Sequence, residues 1–441
     1  MISPHFPPDT SAGTHRVRLL APHLRAFGWE PTVLTVDPRD YEGRLDPDLA
    51  RLVPEDLEVV RCRAWSARAT RRVGFGDLGL RSLKSLRRAA DRLLGERAFD
   101  ALLVTIYPAY TALLGPPLKR RWRIPFVLDY QDPWVGAWGK IVGGGRNGRV
   151  DFRSSLSRRL AGYWEPRTLA HADAVTAVSQ RTIDEIVERN PGIGRIPHLE
   201  LPIGGDPGDF DSLRHRPRRN PYFDPRDGNF HLCYVGTLLP LGFETLRAVL
   251  KAVARLQEID RRAYQRLRLH FFGTGNQTSQ DVPPRVAPVA EEIGVADRVE
   301  EIAPRIDYLD ALTVQLQASA LLLMGSSERH YTASKLYPSL LAERPLLAVY
   351  HSESTVCDVL AKSARPPTAR LVTYDEVDRA ECKVGELAEQ LRQLIANPTY
   401  DPSAVDQSAL DQYSARKLAG KLAGLFNTVA QARQEKSGAA K

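Results

Sequence analysis

The segment Asp129-Tyr130-Gln131-Asp132-Pro133-Trp134 places two carboxylates and two aromatic rings directly after an apolar run. Carboxylates at a strand mouth could hold hydroxyl groups or accept a proton, although surface loops also carry such pairs. Gly273-Thr274-Gly275 follows the apolar Leu269-His270-Phe271-Phe272. Glycines there let the backbone approach a phosphate or sugar and offer N–H groups to anionic oxygens, or they simply make a tight strand exit. Further on, Ser334 and Lys335 follow the run Leu321 to Met324. They would stand at a helix start, an anion site with a mobile cation, unless Ser334 is only a capping residue.

Two other motifs read as plain punctuation. Gly74-Phe75-Gly76-Asp77-Leu78-Gly79 spells GxGxxG, but the arginine-rich stretch before it is no strand, so it reads as a loop. Asp46-Pro47-Asp48 and Asp209-Phe210-Asp211 spell DxD without following a hydrophobic strand. A turn and a linker are their expected settings, and no metal site is expected.

These residues need elements to hold them. Short apolar runs alternate with longer helical periods, the pattern of parallel α/β sheets. Strands are expected at 32–36, 57–60, 101–105, 126–129 and 174–178, with helices at 15–27, 80–94 and 181–189. Only Met1-Ile2-Ser3 and Pro4 precede His5-Phe6-Pro7-Pro8, so the strand expected there is short. Residues 203–229, rich in Gly and Pro, read as a linker. The pattern then restarts, with strands expected at 232–235, 267–272, 299–302, 320–324 and 346–349 and a helix at 244–259. Two open sheets of this kind place ligands at the carboxyl ends of their strands, in a cleft between them.

Composition bounds the rest. The 441 residues, 43% hydrophobic and 26% charged, suffice for two or three cored domains. Cys62, Cys233, Cys357 and Cys382 form no CxxC pair, which excludes a disulfide scaffold and fits a reduced cytoplasm. No signal peptide is read at the start. Ala101 to Leu118 is uncharged over 18 positions, but Pro108 and Gly115-Pro116-Pro117 break it, so it reads as a strand and a turn rather than a membrane span. The net charge is +8, and 31 basic against 25 acidic residues up to position 210 put most of the excess in the first half. Within Arg61 to Arg97, eleven basic residues flank leucines at helical spacing, a pattern of ordinary sheet-packing or of a membrane-surface helix. No RNA-binding signature or aromatic platform is present, and nucleic acid is not an expected partner.

Taken together these segments resemble the GT-B glycosyltransferases, particularly family 4. The resemblance runs through residues 3–360. His5-Phe6-Pro7-Pro8 with Gly13 and Arg16 resembles the family's first-strand loop, and Ala172 to Ser179 its "ADAVTAVS" segment. Leu201 to Phe210 resembles its interdomain signature, and Tyr234-Val235-Gly236-Thr237 its first donor-domain strand and loop. Gly273 and Gly275 match glycines beside the donor, Arg305-Ile306 resembles the base-binding loop, and Ser334-Lys335-Leu336 opens the "SKxFEYLAxGKPV" segment.

The resemblance implies two Rossmann-like domains facing a central cleft: an acceptor side at 1–202, a linker at 203–229, a donor side at 230–400, and a C-terminal helix crossing back with a tail at 401–441. It implies sugar transfer from a nucleotide-sugar donor to a hydroxyl acceptor, retaining and metal-independent, with no other cofactor. Asp132 and Lys335 would be catalytic. Gly13, Gly236, Thr237, Gly273, Gly275, Arg305, Ile306, Ser334 and Lys335 would hold the donor, and His5, Arg16, Asp129, Gln131 and Trp134 would line the acceptor side. Closure of the domains about the linker would exclude water. The acceptor would be a glycan or lipid-linked hydroxyl compound, for instance a precursor of a surface polysaccharide, handled in the cytoplasm or at the inner face of the cell membrane through peripheral contact with anionic lipid. Several usual ligands are replaced, however. The glutamates of the family's E-x7-E pattern correspond to His330 and Pro338, its Arg and Lys after the donor-domain glycine to Thr237 and Leu241, and its His-Asp pair to Gln131-Asp132. These departures leave two alternatives: a binding protein of the same fold without catalysis, or a sugar-nucleotide epimerase.

Overall fold

The computed structural model describes residues 1–72, 76–135, 152–275, 281–327 and 335–438. The chain divides into two compact units, one made of Met1–Ile203 with Ala415–Lys441, the other of Gly204–Ser414.

In the first unit six named strands run parallel: β1 (Thr32–Val36), β2 (Glu58–Cys62), β3 (Leu102–Ile106), β4 (Phe126–Tyr130), β5 (Ala174–Ala177) and β6 (His198–Glu200). The inner ones are buried along their whole length, as expected of apolar runs covered on both faces. Pairing gives β1-β2 and β3-β4-β5-β6. Ile2 closes the gap, bridging Leu34 on one side and Val104 on the other. With Met1–Ser3 counted as the first strand, the spatial order is third, second, first, fourth, fifth, sixth and seventh, a doubly wound sheet.

The basic stretch of this unit packs in the ordinary way. Asp77 caps the helix Leu78–Glu96, accepting from the backbone N–H of Leu80 at 2.8 Å. Leu86 and Ala90 go into the core, and buried Arg81 donates to the carbonyls of Trp65 and Asp40. Of the GxGxxG spelling, residues 73–75 lie outside the described residues, while Gly79 packs against Thr111 and Pro108 as part of the helix. The uncharged run from Ala101 holds β3, a turn and the start of the helix Gly115–Trp122. Among the described residues no helix is long and apolar enough to cross a membrane. The helix Ala415–Gly438 belongs to this unit and buries Leu418, Leu422 and Phe426 with Leu20 and Leu24 of the helix Thr14–Leu24.

The second unit carries β7 (Phe230–Val235), β8 (Leu267–Phe272), β9 (Val299–Ile302), β10 (Ala320–Met324), β11 (Leu346–His351) and β12 (Ala369–Tyr374), in the order β12-β11-β10-β7-β8-β9. All pairs are parallel, so the winding repeats that of the first unit. Leu246, Leu250 and Val253 of the helix Phe243–Ile259 meet Leu387, Leu391 and Leu394 of the helix Val384–Ala396 over the sheet. Each such fully buried side chain contributes about 1.5–3 kcal/mol.

The stretch 203–229 is not an extended tether. Asp206 caps a helix at Pro207–His215 whose Phe210 and Leu213, three residues apart, are buried. Asp209 accepts from the Tyr308 hydroxyl at 2.8 Å, and Arg218 pairs with Asp310. Proline at the first helical position and an aspartate before it start a helix as readily as they mark a loop.

Candidate active site

A doubly wound sheet leaves a crevice where its winding reverses, at the carboxyl ends of its two central strands. In the second unit those strands are β7 and β10. Gly236 follows β7 with φ at 132°, a conformation that side chains disfavour. A Cβ there would lie 2.3 Å from Cε of Lys335, so a side chain at this position would push the lysine away from the strand end. Nζ of Lys335 donates to the Tyr234 hydroxyl at 2.6 Å and to the Thr237 carbonyl at 2.7 Å. It also sits 4.4 Å from the centre of the Tyr234 ring. Burial pushes the ammonium down to about 7, and among the described residues no carboxylate pairs with it. The lysine keeps some contact with solvent.

Gly273, with φ at 72°, ends β8, and a Cβ on it would lie 3.8 Å from Cα of Arg305 and 4.0 Å from Cα of Gly236. Gly236, Gly273, Lys335 and the chain at Arg305 are therefore neighbours. Gly275 is a glycine for another reason, since a Cβ would meet Val282 at 2.2 Å. Between the two glycines, buried Thr274 donates to Glu301, whose carboxylate also accepts the N–H groups of Arg285, Val286 and Ala287. The loop is a fixed platform. Arg305 and Ile306 follow β9, half-buried. Ser334 and His330 lie outside the described residues.

In the first unit the winding reverses between Met1–Ser3 and β3. His5 leaves the first of these strands, and its Nδ1 donates to Asp9 at 2.6 Å. Burial alone would raise Asp9, but His5, Ser11 and Thr14 all donate to it and hold its carboxyl below the ordinary value. The His5 ring stacks on Tyr41 and meets Tyr107 at a tilt, with centroids 6.0 and 5.4 Å away. Tyr107 also covers Gly13: a Cβ there would stand 2.1 Å from Cδ1 of that ring. Gly13 caps the helix Thr14–Leu24 with ordinary negative φ, and tyrosine packing by itself requires a glycine there.

Two residues expected on the acceptor side are turned inward. Arg16 and Asp129 are about 1% and 0% exposed, with Nε and Oδ2 3.1 Å apart. Asp129 also accepts from Thr176 at 2.8 Å, and Arg16 donates to the Pro202 carbonyl at 3.1 Å. Burial lowers Arg16 and raises Asp129, each against the pull of the other. Alternation along β4 points Asp129 into the layer under the helix Thr14–Leu24, so this pair builds the unit rather than meeting an acceptor.

Asp132, just beyond β4, is different. It remains exposed at its surface, yet the surrounding protein pushes its carboxyl up to about 6 by burial. Beside it, Gln131 and Trp134 are 7% and 8% exposed. Their Nε2 and Nε1 atoms are buried without a hydrogen-bond partner among the described residues. Buried donors left unpaired are rare and favour an incoming acceptor atom.

Both DxD spellings fall at helices. Asp46 caps a short helix through the N–H groups of Asp48 and Leu49, and Asp209 lies in the helix already described. Among the described residues no group of three His, Cys, Asp or Glu side chains is placed to hold a metal ion.

Asp9, Tyr107, Tyr234 and Glu301 were not apparent as site residues in the sequence. Asp9 carries a signal, four residues from His5 and two before Ser11, whereas Tyr234 and Glu301 sit inside strand patterns that read as sheet alone.

Residues 12–198 match the family described as a glycosyl transferase 4-like domain. No curated protein matches the chain in sequence. Among solved structures, Anabaena HepE in complex with UDP-glucose is similar with a TM-score of 0.52 and 12% identity, over 98% of each chain. A glycosyltransferase from Rickettsia africae gives 0.52 and 12% identity, covering 97% of this chain and 98% of that one. The N-terminal domain of Candida albicans trehalose-6-phosphate phosphatase gives 0.57 and 10%, covering 98% and 96%. The fold is therefore GT-B, two Rossmann-like units in one chain. Within that class the chain resembles the glycosyltransferases of the family 4 type, through its first unit above all.

Proposed function

We propose that this chain is a glycosyltransferase that moves a sugar from a nucleotide-sugar donor to a hydroxyl acceptor, with the donor diphosphate on the second unit and the acceptor on the first. The observation that carries this reading is Lys335. It is a cation at the winding reversal, beside Gly236 and Gly273, held by neutral oxygens and matched by no carboxylate among the described residues. A diphosphate would supply the missing charge, and charge-assisted bonds to the departing phosphate stabilise the transition state. Gly236 and Gly273 would admit the phosphates, and Arg305, Ile306, Thr237, Gly275 and Ser334 would frame the nucleotide. The similarity to HepE, solved with UDP-glucose, supports uridine as the base to try first.

On the acceptor side, Asp132 would take the hydroxyl proton, with Gln131 and Trp134 donating to acceptor oxygens. A second assignment of the base follows from His5, because Asp9 on Nδ1 leaves Nε2 to accept the proton. The resemblance to family 4 implies retention and no metal. The basic excess of the first 210 residues favours a lipid-linked or polyanionic acceptor, such as a surface-polysaccharide precursor at the inner face of the cell membrane. All four cysteines are free, in keeping with a reduced cytoplasm.

Calorimetry with UDP-glucose, UDP and uridine tests the reading. Lys335→Ala should weaken UDP by about ten- to a hundredfold, the loss of one charged hydrogen-bonding group, and leave uridine unchanged. Equal loss for both would refute the phosphate role. Failure to bind any of a panel of nucleotide sugars at millimolar concentration would leave a binding protein without catalysis.

A further inference from the structure

We infer a second anion site in the first unit, at the end of the sheet opposite Asp132. A cavity of about 970 Å³ opens there. Pro125, Asp173 and Pro197, which immediately precede β4, β5 and β6, form part of its wall. A five-residue strand separates this end from the other by about 15 Å. The volume lies near the top of the range for small-molecule sites.

Five cationic side chains line it, Lys119, Arg120, Arg123, Arg195 and Arg433, against one carboxylate, Asp173. Lys119 is committed to Asp173 at 2.7 Å and to the His171 carbonyl at 2.9 Å, and Arg433 donates to the Phe99 carbonyl. The guanidinium groups of Arg120, Arg123 and Arg195 have no partner among the described residues. The end of the helix Gly115–Trp122 would attract cations through its own dipole, which accounts for Lys119, Arg120 and Arg123. It does not account for Arg195, from the turn before β6, or for Arg433, from the helix Ala415–Gly438. Cations from three separate elements share one cavity.

Arg123 is placed by its backbone. It takes the left-handed position that ends its helix, with φ at 52° and its N–H bonded to the Lys119 carbonyl. Glycine is the usual residue there, because a side chain is strained at positive φ. Between the cations the wall is apolar, from Ile196, Val429 and Ala432. Several guanidinium forks over an apolar floor suit a phosphate group, which each fork can meet with two parallel bonds. The ligand is thus a phosphate-bearing anion, either soluble or displayed as a lipid headgroup. It is not the donor diphosphate, whose proposed place is the second unit.

The probes are inorganic pyrophosphate, followed by calorimetry, and phosphatidylcholine vesicles with or without phosphatidic acid, followed by sedimentation at low salt. Binding of pyrophosphate alone would assign the site to soluble phosphates, and acid-dependent pelleting would assign it to headgroups. Both arms use Lys335→Ala as the common background, so that the diphosphate place proposed in the second unit does not contribute, and there Arg120→Gln with Arg195→Gln should weaken binding by about tenfold or more. Both arginines are exposed, so melting temperature should hold, and Arg195→Gln alone replaces the pair if it does not. No binding of either probe, or a variant that binds like the parent, overturns the inference.

Discussion

Arg16 in the first unit and Lys335 in the second are both cations drawn away from water, but Arg16 meets Asp129 inside its layer whereas Lys335, among the described residues, meets only neutral oxygens and a ring face. The two arrangements have opposite consequences. An enclosed ion pair has little charge left to offer, and its members matter mainly because each would be stranded without the other. A cation without a counter-ion is held at a cost, visible in its lowered pKa, and that cost is relieved when an anion arrives. Two residues of the same charge, both near a winding reversal, thus separate into one that builds the fold and one that the proposed function assigns to a ligand.

The largest effect should come from breaking the enclosed pair. Asp129→Ala would leave Arg16 buried and uncompensated and cost about 3–5 kcal/mol of stability. A loss under about 1 kcal/mol in denaturant titration would show that the pair is not structural in this sense. Next is the pH dependence of kcat/KM. Asp132 would act only when ionised, so activity should fall about tenfold per unit as pH drops below about 6. Lys335 would hold phosphate only when protonated, so activity should also fall above about 7. Bound diphosphate favours the charged lysine, so the alkaline limb of kcat alone should lie higher. A flat profile from pH 5 to 8 would remove both assignments. The smallest effect is expected for Lys335→Met, within about 1 kcal/mol of the parent near neutrality. Because the lysine's pKa is lowered on folding, the unfolded chain binds more protons from about 7 upward, and the parent should gain stability relative to the variant as pH rises towards 10. The opposite trend would mean that Lys335 has a hidden anionic partner.

The inner strands of both sheets were legible because an apolar run covered on both faces has no other stable use. β6 and β12 were not, since His198–Glu200 and Ala369–Tyr374 are edges with polar, half-exposed positions and lack that signal. At the site, the glycines and Lys335 could be found from their place after a strand. Asp129 and Asp132 could not be told apart, because three residues of spacing leave open which carboxylate turns under a helix and which stays at the surface. Gly13 was picked out as a place of close approach, but the sequence does not reveal that Tyr107, nearly a hundred residues away, lies across it. The stretch 203–229 looked like a linker because capping residues and loop residues are the same residues.

The helix Ala415–Gly438 has a consequence for how the chain is made. It supplies Leu418, Leu422 and Phe426 to a core whose other members stand at Leu20, Leu24, Leu103 and Val127. On the ribosome, the first unit's opening 203 residues emerge early but wait for their final cover until the whole of Gly204–Ser414 has been synthesised. The second unit, contiguous in sequence, can complete its core first, reversing the usual order in which the amino-terminal part of a nascent protein matures before the rest.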